Sequence, residues 1–404
     1  RQRFWGYAET GSRLASAHEK TARRHCGWQI IGYICHYHKP EKSMAKFNFD
    51  KIVDRRGTGA VKLEMLKPEF GCTDVIPAWI ADMDFEVCPA ITEALTRRMA
   101  GHRIYGYTVA SDSYWQSIID WQRSRNGFEI ERSELTFIPG VVTGVALAIN
   151  FFTRPGDRIV IQEPVYHPFR RVITDNGRLV ANNRLLLCAD GTCRMDLEGL
   201  ERIFSEQRPA MMIVCNPHNP MGIAWPVETL RSVAALARRY GVKVISDEIH
   251  GDLMLGGRKH HPMPTVSNDA AAVTIAFGAP TKTFNIAGFR TSWCVVKNAE
   301  LRVPFYQWLS ANELNEPNLT ATLAAEAAYR NGREWLDEAL AYIEGNIDFV
   351  ADYCARHIPQ VRVLKPQASY LVWLDFGQLG LSHEQLIDLT LHHAHVAMND
   401  GEMF

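Results

Sequence analysis

Lys282 lies in the string Ala279-Pro280-Thr281-Lys282-Thr283-Phe284-Asn285-Ile286-Ala287-Gly288, and Asp247 in Ser246-Asp247-Glu248-Ile249-His250. Each string follows an apolar run, Ala272 to Phe277 and Val242 to Ser246, that reads as a short buried strand. A primary amine can condense with an aldehyde to form a Schiff base, and a carboxylate can keep an aromatic ring nitrogen protonated. Taken singly, a lysine is a solvated surface charge and an aspartate after a strand is a helix cap. As a pair they gain meaning from position. In open α/β sheets the ligand crevice lies outside the carboxyl ends of the strands, so the two charges are predicted to converge there.

Three further pieces sit at predicted strand ends. Asn216-Pro217-His218-Asn219-Pro220-Met221-Gly222 follows the run Ala210 to Val214 and must form an irregular turn. Its asparagines are either turn residues or, for Asn219, a hydrogen-bonding group on a ligand oxygen. Gly140-Val141-Val142-Thr143-Gly144 follows the run Leu135 to Ile138 and opens a helical stretch. A glycine turn into a helix N-terminus offers free backbone N–H groups and a positive dipole end, which suits a phosphate, although an ordinary strand-to-helix turn has the same pattern. Tyr166, in Glu163-Pro164-Val165-Tyr166-His167-Pro168, can stack on a planar ring or be a core tyrosine.

In order and spacing, these pieces resemble the fold type I pyridoxal phosphate (PLP) enzymes, the aspartate aminotransferase superfamily, from about Met44 to the C-terminus. Trp79-Ile80-Ala81-Asp82-Met83-Asp84-Phe85, Tyr105-Gly106-Tyr107-Thr108 and His250, where many aminotransferases have tyrosine, are similar to the cystathionine β-lyase type of C–S lyase. The resemblance implies pyridoxal 5'-phosphate as cofactor, with Lys282 as the Schiff-base lysine and Asp247 as the partner of the ring nitrogen. It implies Tyr166 as the ring-stacking aromatic, Asn219 on the phenolic oxygen, His250 beside the cofactor, and the backbone of Val141 and Val142 on the phosphate. Arg290 matches a phosphate-binding arginine of the wider superfamily. Tyr107, or Tyr105 if the alignment slips by two, matches a tyrosine that reaches a neighbouring subunit's phosphate, which implies a homodimer with shared sites. Ala279 departs from the family, since many aminotransferases carry a phosphate-binding serine there. The residues up to Phe404 include none that matches the arginine clamping the substrate α-carboxylate, so the C-terminal domain is expected to be truncated.

The elements that must position these residues follow from the apolar pattern. Strand candidates at Leu135 to Ile138, Arg158 to Gln162, Ala210 to Val214, Val242 to Ser246, Ala272 to Phe277 and Thr291 to Val296 alternate with helical stretches such as Val227 to Tyr240. The predicted fold class is α/β, PLP-dependent transferase-like: a large domain with a mostly parallel, doubly wound sheet plus a smaller α+β domain. Expected boundaries are 1–43 for a non-family N-terminal extension and 44–90 for a segment contributing to the small domain. They are 91–300 for the large domain and 301–404 for the C-terminal small domain, with long helices over about 318–357 and strands near Val361 and Leu371 to Leu374. Residues 1–43 admit a sharper reading, a targeting segment or a metal site on Cys35, His36 and His38, but lack a signal-type apolar region and a zinc-type ligand spacing.

Among 404 residues, 44 are Lys or Arg and 45 Asp or Glu, a balance without the basic footprint of a nucleic-acid or membrane-surface binder. The nine cysteines are scattered without CxxC spacing, which points to reduced thiols and a cytoplasmic protein. The longest apolar stretch, about Val141 to Phe152, falls short of the roughly 20 residues of a membrane span. A metal on His250, His260, His261, Asp247 and Asp252 is not expected, because Asp247 has the stronger assignment. The expected function is β-elimination from cystathionine or related cysteine S-conjugates, giving thiol, pyruvate and ammonia. An amino-acid aminotransferase and a PLP-binding regulatory dimer with little catalysis are the alternatives.

Overall fold

The computed structural model describes residues 27–31, 46–188 and 191–404, the first of these as backbone only. The reading of Cys35, His36 and His38 lies outside the described residues. The central element is a seven-stranded sheet in the order Leu135–Ile138, Ser292–Val295, Thr274–Gly278, Lys243–Asp247, Met211–Cys215, Arg158–Ile161 and Leu179–Asn182. Ser292–Val295 runs antiparallel to both neighbours, and the remaining strands run in one direction. Every residue of Met211–Cys215 and Thr274–Gly278 is buried. Helices cover both faces, so these strands show continuous apolar character instead of alternation.

Each predicted strand of the large domain is present, with ends shifted by one or two residues in most cases. The exception in kind is Ala272 to Phe277, which splits into a helix, Asn268–Val273, and a strand, Thr274–Gly278. The Ser267 side chain accepts a hydrogen bond from Ala270 N, and this cap starts a helix in a run whose apolar residues alone read as strand. Val227–Tyr240 is helical over its whole predicted length. It buries Leu230, Val233, Ala234 and Ala237 and ends at Gly241 in the left-handed conformation.

A second, five-stranded sheet has the order Arg362–Leu364, Leu371–Asp375, Gly27–Ile31, Val396–Asp400 and Ile76–Ala78. It draws together the two ends of the chain. Gly27–Ile31, inside the stretch set aside on sequence as an extension, pairs antiparallel with both Leu371–Asp375 and Val396–Asp400. Ile76–Ala78 pairs parallel with Val396–Asp400. The long helices predicted over 318–357 are Leu319–Asn331 and Arg333–His357. Among the described residues, no helix is long and apolar enough to cross a membrane.

The helix Val141–Phe152 lies close against the sheet at Gly144. A Cβ built there would stand 2.7 Å from the Phe277 ring and 2.8 Å from the Ile138 methyl. Overpacking of this kind costs about 1–3 kcal/mol, whereas the gain in helix propensity from Gly to Ala is about 1 kcal/mol. Because the contacts are a strand methyl and a buried ring with no room to withdraw, the first term wins. Gly144→Ala is therefore expected to lower the melting temperature; an unchanged or higher value in a thermal melt would show that the helix can retreat from the sheet.

Candidate active site

Asp247 is the last residue of its strand, and in the adjacent parallel strand Phe277 is its register partner. The chain leaves that neighbour at Gly278 and turns through Ala279 into the short helix Pro280–Thr283, which carries Lys282. Parallel pairing of two successive strands thus delivers both charges to one edge of the sheet, as expected from the sequence. The Asp247 carboxylate is buried, with Oδ1 accepting from Ile249 N at 3.0 Å. Burial pushes its pKa up to about 7, and the Glu248 charge adds to the rise; the Ile249 N–H and the Lys282 charge act in the opposite sense. Burial likewise pulls Lys282 down to about 8, against the pull of Asp82 and Asp247 and with the help of Lys62. Its Nζ donates to the Ala81 carbonyl at 2.5 Å.

The turns around this pair are stitched to each other. Tyr166 N donates to the Asn219 carbonyl at 3.0 Å, and Asn219 N donates to Cys215 Sγ at 3.3 Å. Burial raises the Tyr166 phenol to about 12, and the Asp247 charge adds to the rise. His250 is buried, and burial together with the Lys282 charge lowers it to about 3, so its ring is neutral. Its Nδ1 has no hydrogen-bond partner.

At the other side of the crevice, Gly140 adopts φ 104° and hands the chain to the helix Val141–Phe152. Its first-turn N–H groups, those of Val141 and Val142 included, have no carbonyl one turn back to bond to. Arg290 Nη2 lies 3.3 Å from Thr143 Oγ1, so the arginine stands over this helix N-terminus. Tyr107 is fully exposed, and Tyr105, more than half exposed, donates its hydroxyl to the Met99 carbonyl. Within one chain neither tyrosine joins the site, because the loop that carries them extends into solvent.

Sequence reasoning missed the wall opposite Asp247. The segment Trp79 to Phe85 served only as a family marker, yet its Ala81 carbonyl accepts from both Lys282 Nζ and the Tyr370 hydroxyl, the latter at 2.9 Å. The Asn285 side chain, three residues past Lys282, holds this segment in place. It accepts from Met83 N at 2.9 Å and donates to the Met83 and Phe85 carbonyls at 2.8 and 3.0 Å. Some 200 residues of chain separate the partners, so no local pattern announces the contact. Behind the site, Glu248 accepts from Ser246 Oγ and Met263 N and lies 3.0 Å from His260 Nε2. Asp252 accepts from Trp121 Nε1 and Thr283 Oγ1. His260 and Asp252, considered on sequence as part of a metal cluster, are engaged in these hydrogen bonds.

Comparison with known proteins places this geometry in a family. Residues 74–404 match the family model of class I and II aminotransferases. The chain is 42% identical over 357 residues, 88% of its length and 92% of the relative's, to the cystathionine beta-lyase PatB of Bacillus subtilis. Its fold superposes with a TM-score of 0.84 on cystalysin from Treponema denticola, a structure containing pyridoxal 5'-phosphate, at 28% identity with 88% of this chain and 91% of that chain covered. The PLP-bound C–S lyase from Staphylococcus hominis gives 0.82 at 28% identity, covering 89% and 90% of the two chains. With a model match across most of its length and a relative at this identity, the chain belongs to the class I and II aminotransferase family.

Proposed function

We infer that this protein is a PLP-dependent carbon–sulfur β-lyase acting on cystathionine or related cysteine S-conjugates. The observation that carries the reading is the enclosed Lys282 and Asp247 pair at adjacent strand ends, in a chain 42% identical to a cystathionine beta-lyase. The residues present fit pyridoxal 5'-phosphate. Asp247 is held near half-ionisation at neutral pH by burial, and a cationic ring nitrogen would add an opposite charge beside it. The orphaned Nδ1 of buried His250 is a polar atom awaiting a partner on the same side. When bound, the cofactor supplies an imine to the substrate amine and an electron sink for the pair left at Cα.

The chain's own residues would do the rest. Lys282, with its proton affinity lowered to about 8, takes the substrate α-proton as general base. The electron pair left at Cα forms a double bond to Cβ as the Cβ–S bond breaks, and the proton held on Lys282 Nζ becomes available to the departing sulfur. Water then converts the remaining three-carbon fragment to pyruvate and ammonia. Asp247 would keep the ring nitrogen charged, Tyr166 would stack on the ring, and Asn219 and His250 would supply polar contacts to it. The phosphate is assigned to the Val141 and Val142 N–H groups and Arg290. The exposed loop bearing Ile104, Tyr107 and Val109 supports a homodimer in which Tyr107, or Tyr105, reaches the partner's phosphate. Among the described residues, Cys72, Cys88, Cys188, Cys215, Cys294 and Cys354 are free thiols, which supports a reducing, cytoplasmic location.

Incubation of the loaded enzyme with cystathionine is expected to release thiol and pyruvate without added ketoacid, and Lys282→Ala to abolish it. Turnover only with a ketoacid would make the protein an aminotransferase, and a borohydride-fixed cofactor mapped to another lysine would displace Lys282 from its role. Asp247→Ala is expected to slow exchange of the substrate α-proton for deuterium by about 100-fold or more; exchange at the wild-type rate would contradict its assignment. The pH dependence follows from the shifts. Below pH 7 Asp247 is protonated and Lys282 is an ammonium, both wrong for the cofactor, so the association rate of PLP with the apoenzyme should rise through pH 7 to 8 and level above it. Stopped-flow absorbance measures this, and a rate maximal in acid would sink it.

A further inference from the structure

Four charged side chains lie behind the Ala81 carbonyl, and the reaction above uses none of them. Lys62, in the helix Val61–Glu64, is 1% exposed, the most deeply buried cation in the vicinity. Its ammonium donates to the Asp82 carbonyl at 2.7 Å and to Asp84 Oδ2 at 2.9 Å, and forms an ion pair with Asp82 Oδ1 at 2.9 Å. Arg55 grips the same two acids from the other side, with Nη2 to Asp82 Oδ2 at 2.8 Å and Nη1 to Asp84 Oδ1 at 3.0 Å. Trp79 Nε1 donates to the Lys62 carbonyl at 3.0 Å, tying the helix to the segment it braces. Two cations and two carboxylates therefore clamp the residues on either side of Met83, next to the carbonyl that holds Lys282 Nζ.

A partly buried ionic cluster is weak evidence for stability, since well-packed apolar residues of similar volume serve as well or better. Its presence needs another reason, and its location supplies one. We propose that Lys62, Asp82, Asp84 and Arg55 form a positioning cluster that holds the Ala81 carbonyl against Lys282 and sets the electrostatic field at its amine, Asp82 and Lys62 acting with opposite sign. The proposal rests on Lys282 being the reacting amine. The groups facing that amine are Asp82 and the Ala81 carbonyl from the 79–85 segment, Lys62 from its helix, and Asp247 and His250 from the strand-end loop. The Tyr370 hydroxyl faces it through the same carbonyl. For Asp82 itself, burial opposes ionisation, but the Arg55 hydrogen bonds and the Lys62 charge outweigh it and hold the carboxyl below its usual range. Asp82 is thus a permanent anion at working pH. A carboxylate nearby favours the ammonium form of Lys282 and a neighbouring ammonium favours the free amine.

The test is made on the apoenzyme, where the pH dependence of reductive methylation of Lys282, followed by mass spectrometry of its peptide, reads the proton affinity of the amine without any turnover. Asp82→Asn removes the favourable anion and is expected to move the midpoint down by about 1 unit, whereas Lys62→Met removes the opposing cation and is expected to move it up by a similar amount. The pH limb of turnover in the loaded enzymes should follow the same two directions. A cluster that merely supports the fold would shift both variants alike or neither, and either outcome overturns the proposal. Should Lys62→Met fail to fold by circular dichroism, Asp82→Asn decides alone: a lower midpoint supports the proposal, and an unchanged or higher one refutes it. Failure here leaves the assignment of Lys282 intact, because the borohydride label on its peptide decides that separately.

Discussion

Two opposite charges held out of water at the carboxyl ends of neighbouring parallel strands are the constraint around which this protein is arranged. An ionised carboxylate or ammonium in a desolvated site is costly unless it is paired or hydrogen-bonded, and otherwise it surrenders its charge. Asp247 and Lys282 show that strain in complementary form, one raised to about 7 and the other lowered to about 8. Each has a single strong backbone contact, the Ile249 N–H for the acid and the Ala81 carbonyl for the amine. A site built this way is poised for a ligand carrying a cationic nitrogen and an electrophilic carbon. Such a ligand relieves the acid and uses the amine in its reactive, neutral form.

The sheet makes that arrangement rigid. Parallel strands buried on both faces admit little register change, because a one-residue slip would turn buried faces toward the wrong layer. The helix after Gly140 lies so close to the sheet that Gly144 leaves no room for a methyl group, which fixes the helix N-terminus relative to Lys282 and Asp247. Arg290, brought to Thr143 by the strand Ser292–Val295 that follows it, closes the same end. The helix N-terminus and the Lys282 and Asp247 pair are thereby held at a constant separation by packing.

Segments remote in the chain complete the site at its least covered edge. The Trp79 to Phe85 stretch is bound to the Lys282 loop by Asn285 and braced by the Lys62 and Arg55 ion pairs. Its strand, Ile76–Ala78, belongs to the smaller sheet through Val396–Asp400. The carbonyl that accepts from Lys282 Nζ thus follows a strand of the smaller sheet, while Lys282 follows a strand of the larger one. Burying the Lys62 ammonium at this junction is electrostatically demanding, and it is offset by two hydrogen bonds and by ion pairs to both Asp82 and Asp84.

Much of this was legible in the chain. Continuous apolar runs ending in a charge, a glycine turn into a helix, and a proline-bounded asparagine turn are local patterns, and local backbone preference was enough to define the strand ends that carry Asp247, Lys282, Val141 and Asn219. The split of Ala272 to Phe277 into helix and strand was not legible from hydrophobicity, since the deciding interaction is the Ser267 cap one turn before. Nor was the role of Gly27–Ile31, whose partners lie 340 or more residues away, or the exposure of the Tyr105 to Tyr107 loop. The placement of Asp247 and Lys282 at strand ends is written in residue type and apolar pattern, which are properties of short segments. Their proton affinities and the carbonyl that holds the amine arise from burial and from contacts across some 200 residues, and only the tertiary structure decides how much water is removed and which charges meet.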